Sequence, residues 1–226
     1  MVRPSTPKTT SVASLAAFVL LAGCASSSAP AAFHLEARGA QDARPASVLP
    51  EGDRSTTPPN PDPRVGLRPG TTNAGEAAWN LGLLVNVPSP EGFAGVTNSD
   101  LAFSGNLVLQ GNYNGFMVWD VTNPASPALV TRYLCPASQS DISVFRNLLF
   151  VSGEGTGGRL DCGTEGVPDP VNDERLRGIR IFDITDIRNP EYVANVQTCR
   201  GSHTHTVVTP RNDPDHVYIY VSGHSR

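Results

Sequence analysis

The chain has 226 residues, with 17 basic and 21 acidic side chains and a formal net charge of −4. This balance excludes the basic surface on which nucleic-acid binding depends, so we expect no nucleic-acid partner. The only lysine is Lys8. If the N-terminal segment is removed on export, no lysine remains to form a Schiff base or to fill a P-loop.

The first 23 residues have the pattern of an export signal. Arg3 and Lys8 precede the apolar stretch SVASLAAFVLLA, and small residues follow it up to Cys24. The apolar run is about a dozen residues long, whereas a membrane-spanning helix needs about 20. We therefore predict a signal peptide over residues 1–23, and its removal would change the net charge from −4 to −6.

The four residues LAGC that end at Cys24 resemble the lipobox of bacterial lipoproteins. The resemblance implies cleavage before Cys24 and lipidation of its thiol, which would anchor the protein to a membrane, because two or more acyl chains give stable attachment. Ala25 and Ser26 follow in place of an aspartate, which under the family rule favours the outer membrane. The alternative is a plain secretory signal with an incidental cysteine.

Residues 24–75 contain mostly Ala, Ser, Pro, Thr and Gly with scattered charges, as in SSSAPAA and STTPPNPDP. A segment with so few large apolar side chains buries too little surface to offset its ordering entropy. This composition predicts a disordered tether between the signal peptide and a folded domain over residues 76–226.

The folded domain consists of short β-rich runs that repeat. SDLAFSGNLVLQG from Ser99 aligns with SDISVFRNLLFVSG from Ser140, a spacing of 41 residues. NGFMVWDVTNPASP from Asn114 aligns with RGIRIFDITDIRNP from Arg177, and CPASQSDISV aligns with CRGSHTHTVV, which begins a third unit. Runs of this kind, broken by Gly, Asn, Asp and Pro, predict an all-β domain.

Four short strands in a unit of about 40 residues are typical of a β-propeller blade. The strands FMVWD and IRIFD, with the turns that follow them, resemble the LVIVD-repeat propellers of bacterial envelope proteins. The resemblance covers roughly residues 98–222 and implies about two and a half blades of four antiparallel strands. Because a propeller usually has at least four blades, we expect a fragment of a longer protein or a ring built from several chains.

The segment LGLLVNV, residues 81–87, has the character of an outermost blade strand. In many propellers one terminus supplies such a strand to the blade that the other terminus begins, which closes the ring. The alternative is an edge strand of a β-sandwich.

A binding face is predicted at one end of the blades. In a four-stranded blade, the connector entering the first strand lies on the same face as the loop between the second and third strands, and such loops commonly carry function. CPASQS and CRGSHT are connectors of this kind, and the second unit has a long insertion in its second loop. We expect a protein or a small molecule to bind this face through Asn98, Gln139 and Arg200.

His203 and His205 are candidate metal ligands on this face. Side chains two apart on an extended strand point the same way. Together with Asp141 or Asp100, which repeat alignment places nearby, they could hold a divalent metal ion. The alternative is that these Asp and His side chains tie the starts of strands to neighbouring backbone amides.

Cys135, Cys162 and Cys199 map to the same face. Exported proteins meet oxidising conditions, so a disulfide that fixes the insertion is expected, with Cys162 as the common partner. One of the three thiols would be left over. A Cys/His metal centre is the alternative, although the spacing C-x3-H-x-H matches no familiar zinc pattern.

The sequence therefore predicts a lipid-anchored envelope protein that binds a ligand or partner through the loop-bearing face of a β-propeller. One alternative is a metal-dependent oxidoreductase or hydrolase with a His/Asp site at the channel mouth. Another is a structural platform in the envelope.

Overall fold

A computed structural model describes residues 55–71, 73–169 and 171–223, and these residues form an all-β structure of ten strands. Sheet 1 consists of β1 (Asn98–Ser104), β2 (Leu107–Asn112), β3 (Gly115–Asp120) and β4 (Ala128–Leu134). Sheet 2 consists of β5 (Ile142–Phe145), β6 (Leu148–Gly153), β7 (Gly178–Asp183) and β8 (Glu191–Gln197). Sheet 3 contains β9 (Thr204–Val208) and β10 (Tyr218–Ser222).

Sheets 1 and 2 are built in the same way, as the repeat predicts. Each is an antiparallel meander in which strands adjacent in sequence are also adjacent in space. Leu107 pairs with Asp120 in sheet 1, and Leu148 pairs with Asp183 in sheet 2. The pairing of the third and fourth strands has a register shift at the same repeat position in both sheets. The predicted all-β class and the sheets of four antiparallel strands are confirmed.

The turns after β3 and β7 also repeat. The amide of Thr122 donates to Asp120 Oδ1 at 2.8 Å, and the amide of Thr185 donates to Asp183 Oδ1 at 2.7 Å. Such side-chain bonds to the backbone two residues later favour a turn over continuation of the strand. The recurring aspartates are therefore turn caps. Hydrogen bonds from the side chain and then from the backbone amide of the threonine two residues later lower the pKa of Asp120 and that of Asp183.

The hydrophobic core lies where sheets 1 and 2 pack together. Phe182 of β7 makes edge contacts with Phe116 and Tyr133 of sheet 1 and stacks on Tyr192 of β8. Aliphatic side chains from both sheets complete the core, and they include Leu109, Val118, Ile142, Leu149, Val151, Ile184 and Ile187.

The first strands of the three sheets lie side by side, with β1 against β5 and β5 against β9. We call the contact of sheet 1 with sheet 2 the first junction, and the contact of sheet 2 with β9 and the connector before it (residues 198–203) the second junction. Within the described ranges the sheets do not close into a ring. Apolar side chains stay exposed on β8 and β10, for example Val193, Val196, Tyr218 and Tyr220.

The prediction of a strand over residues 81–87 is wrong for this structure. The segment makes no strand, and Leu81 and Leu83 are 79% and 77% exposed. An outer strand needs a sheet edge to pair with, and residues 81–87 pair with none of the three described sheets. Of the predicted tether, residues 55–71 and 73–75 contain turns and bends and no strand. The signal peptide and Cys24 lie outside the described residues.

Candidate functional site

The candidate site is the end of the sheets that carries the long loops. We call it the loop face and define it by the connector from β4 to β5 (residues 135–141), the connector from β8 to β9 (residues 198–203) and the insertion between β6 and β7 (residues 154–177). The two connectors occupy equivalent positions in successive repeats. Their placement together with the insertion agrees with the predicted face.

Arg159 organises the insertion from within. Its guanidinium forms ion pairs with Asp161 at 2.7 Å, Glu174 at 2.8 Å and Glu165 at 3.1 Å, and its side chain is only 10% exposed. The hydrogen bond from Arg159 holds the pKa of Asp161 well below its usual range. Backbone bonds from Leu160 to Glu174 and from Leu176 to Gly158 join the two arms of the insertion. The insertion is therefore a folded element despite its length.

A disulfide between Cys135 and Cys162 fastens the insertion to the first connector. This is the predicted kind of link, with Cys162 as the partner in the insertion. Cys199, at the equivalent position of the second connector, is an exposed free thiol. The sequence separation of 27 residues means that the bond removes substantial loop freedom from the unfolded chain.

Arg180 of β7 is a second link between the insertion and the first connector, and the sequence did not predict it. It is 1% exposed, and its guanidinium donates to the carbonyls of Cys135 at 2.6 Å, Pro136 at 3.1 Å and Arg159 at 2.7 Å. Burial lowers the pKa of Arg180. The available signal was an arginine in the apolar strand GIRIFD, where the first repeat has Met117.

The first connector has an unusual backbone. Ser138, Gln139 and Ser140 have φ values of 62°, 31° and 54°, a region that residues other than glycine seldom adopt. Ser140 Oγ donates to the Ser138 carbonyl at 3.1 Å, and Ser99 Oγ donates to the Ser140 carbonyl at 3.2 Å. The Ala137 carbonyl accepts bonds from two amides of the insertion. Three successive residues in this region persist only where their surroundings hold them.

His205 is buried at the second junction. Its Nδ1 lies 3.0 Å from Asp141 Oδ2 and 2.9 Å from Ser152 Oγ, and its backbone amide donates to Asp141 Oδ2 at 2.7 Å. Ser152 Oγ also lies 2.8 Å from Ser202 Oγ. Burial opposes ionisation of Asp141, but its bonds with His205 outweigh that effect and lower the pKa of this carboxyl. The buried Nε2 of His205 has no hydrogen-bond partner among the described residues.

His203 makes a different contact. Its side chain is half exposed, and its Nδ1 lies 3.0 Å from both carboxylate oxygens of Glu154, the first residue of the insertion. Gly201, with φ 71°, lets the second connector pass close to Glu154, because a Cβ at Gly201 would come within 2.8 Å of the Glu154 Cα. His203 therefore links the second connector to the insertion.

The four predicted metal ligands are thus divided among three sets of contacts. Asp141 is bonded to His205, while His203 is bonded to Glu154. Asp100 Oδ2 accepts from the amide of Ile142 at 3.3 Å. Among the residues that the structure describes, no group of three or more His, Cys, Asp or Glu side chains is placed to hold a metal ion. The bonds that Asp100 and Asp141 accept from backbone amides of the next sheet are those that the hydrogen-bonding alternative predicts.

The three predicted face residues take part in internal contacts. Asn98 Oδ1 accepts from Asn112 at 2.8 Å, and Gln139 Oε1 accepts from the Tyr113 hydroxyl at 3.2 Å. Arg200 is exposed, and its carbonyl accepts from Arg177 at 3.1 Å. The loop face therefore carries polar and charged side chains and an exposed apolar side chain, Val171, which is 93% exposed.

Neither a scan against protein-family models nor a search of curated proteins finds a match to this chain. In the described part of the chain, no helix is long and apolar enough to cross a membrane.

Proposed function

We propose that this protein is an envelope-exposed binding module, built from β-propeller blades of the LVIVD-repeat type, which recognises a protein or small-molecule ligand through its loop face. The observation that carries the proposal is the attachment of the insertion. A long surface loop is expected to move unless it is tied down, and here it is tied at several separate points.

The attachments have a common effect. The Cys135–Cys162 disulfide, the three carbonyl bonds of Arg180 and the Glu154–His203 contact connect the insertion to both connectors. Arg159 fixes the interior of the loop. Ordering a loop before binding removes an entropy cost that the complex would otherwise bear. A rigid loop that presents exposed Val171 fits recognition of a partner better than it fits a passive connection.

The repeated antiparallel sheets, with their first strands side by side, support the propeller part of the proposal. The disulfide supports export, because such bonds persist in oxidising compartments. Attachment to the outer membrane through lipidated Cys24 belongs to the same proposal and rests on the LAGC motif. Cys24→Ser should release the protein from the membrane fraction of expressing cells, and continued membrane association would contradict the anchor.

Site-specific photo-crosslinking tests the binding face. A benzophenone amino acid at Val171 should give a discrete crosslinked product in intact cells, because this exposed position lies in the insertion. The matched control is the same amino acid at Ala125, an exposed residue in the turn between β3 and β4 at the opposite ends of the strands. It should give no such product.

The comparison of the two positions decides between the proposed function and a role as a passive platform. A discrete product from Val171, with none from Ala125, supports recognition through the loop face. Equal products from both positions, or none from Val171 in protein that retains its disulfide, would overturn it.

A further inference from the structure

A cavity of about 270 Å³ lies between sheets 1 and 2, at the strand ends opposite the loop face. The turn between β1 and β2 forms one side of it, with Asn106 and Leu107. Asp120 and Thr122 come from the end of β3, and Arg188 comes from the turn between β7 and β8. The cavity is separate from every contact used in the proposed function.

The two repeats differ at this place. In sheet 2, the side-chain amide of Asn147 donates to Asp183 Oδ2 at 3.1 Å and to Thr185 Oγ1 at 3.1 Å, so the Asn, Asp and Thr side chains satisfy one another. Sheet 1 has the same three residue types at the equivalent positions, Asn106, Asp120 and Thr122.

In sheet 1 the three side chains do not all bond to one another. Asp120 is bonded within its own turn, to Thr122. The side-chain amide of Asn106 makes no hydrogen bond with any described residue, and all three side chains line the cavity. The first sheet therefore lacks the two bonds that Asn147 makes in the second sheet, and Asn106 lines the cavity beside Asp120 and Thr122. A side-chain amide next to a carboxylate at a concave surface is an arrangement that a ligand can bind.

The remaining lining groups define the chemistry. Leu107, Val130 and Ile187 give an apolar floor, and Ile187 is 8% exposed. Arg188 brings a positive charge from sheet 2, opposite in sign to Asp120. Its backbone position is fixed, because Thr131 Oγ1 donates to the Arg188 carbonyl at 3.0 Å. The cavity thus combines one carboxylate, one guanidinium and an apolar surface.

We propose that this cavity binds a small zwitterion with an apolar side chain, such as a free amino acid or a dipeptide. The ammonium group would donate to the Asp120 carboxylate and to Asn106 Oδ1, the ligand carboxylate would accept from Arg188, and the side chain would cover the apolar floor. The volume falls just below the range of about 300–1,000 Å³ that drug-sized ligands occupy. It therefore suits a smaller molecule.

Titration of the full chain with L-leucine and leucyl-leucine tests the proposal, with the side-chain amide of Asn106 followed by NMR. Saturable shifts of that signal are expected. N-acetyl-leucine lacks the cation and leucinamide lacks the anion, and each should bind about tenfold more weakly or worse, since a hydrogen bond to a charged group is worth roughly that factor. Equal binding of all the probes, or no saturable shift, would overturn the proposal.

Asp120→Asn keeps the oxygen that caps the turn and removes the charge, so the fold should be retained while the zwitterion binds about tenfold more weakly. The matched control is Asp183→Asn, which makes the same charge change at the equivalent position of sheet 2, where Asn147 already occupies the carboxylate. Binding by the control should equal that of the wild type. Equal weakening in both variants would mean that only net charge matters and would refute a site at Asp120.

Discussion

The two junctions join successive sheets of the same repeat by different means. At the first junction the contact is mainly apolar, with Phe116, Tyr133 and Phe182 in direct ring contact. At the second junction a buried polar group, Asp141, His205, Ser152 and Ser202, makes the link. The β8 and β10 surfaces around it remain exposed.

One pair of equivalent positions accounts for much of this difference. Gly111 of β2 corresponds to Ser152 of β6. At Gly111 the backbone of Ser140 comes so close that a Cβ would overlap its carbonyl oxygen. At Ser152 there is room for a hydroxyl, which contacts both His205 and Ser202. A repeat can thus keep its strand register while exchanging close backbone contact for a hydrogen-bond network.

The largest effect should follow from removing the aromatic centre of the first junction. Phe182→Ala is expected to lower the free energy of unfolding by about 3–5 kcal/mol, because a fully buried ring is replaced by a cavity. Tyr220→Ala is the comparison on β10, beside the second junction, where the side chain is 65% exposed, and it should cost about 0.5 kcal/mol or less. Urea unfolding of both variants measures the difference. Similar losses would mean that the β10 surface is packed in solution.

The next largest loss of stability is expected at the equivalent positions Gly111 and Ser152. Gly111→Ala should destabilise by about 1–3 kcal/mol, because the new methyl group displaces the Ser140 backbone. Ser152→Ala should cost about 1 kcal/mol, since Ser202 keeps its bond to the Thr204 carbonyl and His205 keeps Asp141. Thermal unfolding of the two variants ranks them. The close-contact interpretation fails if Gly111→Ala is the milder change.

The repeat explains why much of the fold was predictable. The spacing of 41 residues between Ser99 and Ser140 fixed which strands correspond, and recurrence at Asp120 and Asp183 identified the turn caps. Repetition is visible in the sequence because each unit buries its apolar side chains against its neighbours in the same way. Asp141 and His205 were placed together for the same reason.

Features that occur once were harder to predict. Arg180 binds backbone carbonyls, and Arg159 binds carboxylates of the insertion. The insertion occurs in one repeat only, so no second copy in the sequence indicates these contacts. The predicted strand over residues 81–87 failed because local apolar character says nothing about whether a pairing edge exists nearby. His203 was predicted as a metal ligand beside Asp141 or Asp100, and it lies against Glu154 of the insertion, a contact that no repeat could indicate.

The smallest expected difference in stability is between substitutions at Asp141 and Asp100, whose carboxylates accept hydrogen bonds from the first strand of the next sheet. Asp141→Asn should cost about 1 kcal/mol at neutral pH, because its carboxylate accepts from the His205 amide at 2.7 Å and also meets the His205 ring. Asp100→Asn is the matched change at the first junction, where the single bond to the Ile142 amide is 3.3 Å long, and should cost less. Chemical unfolding at neutral pH gives both values.

The dependence of this cost on pH identifies the charge as its source. The pKa of Asp141 is lowered in the folded protein, so its contribution is complete above the unfolded-state value of about 3.9. It is lost as the pH falls through the lower folded-state pKa. The stability difference between the wild type and Asp141→Asn should therefore stay constant from neutral pH down to about 5 and shrink below about 4. A difference that persists unchanged in acid would show that the second junction depends on the shape of the Asp141 side chain, and that its charge contributes nothing to joining the two sheets.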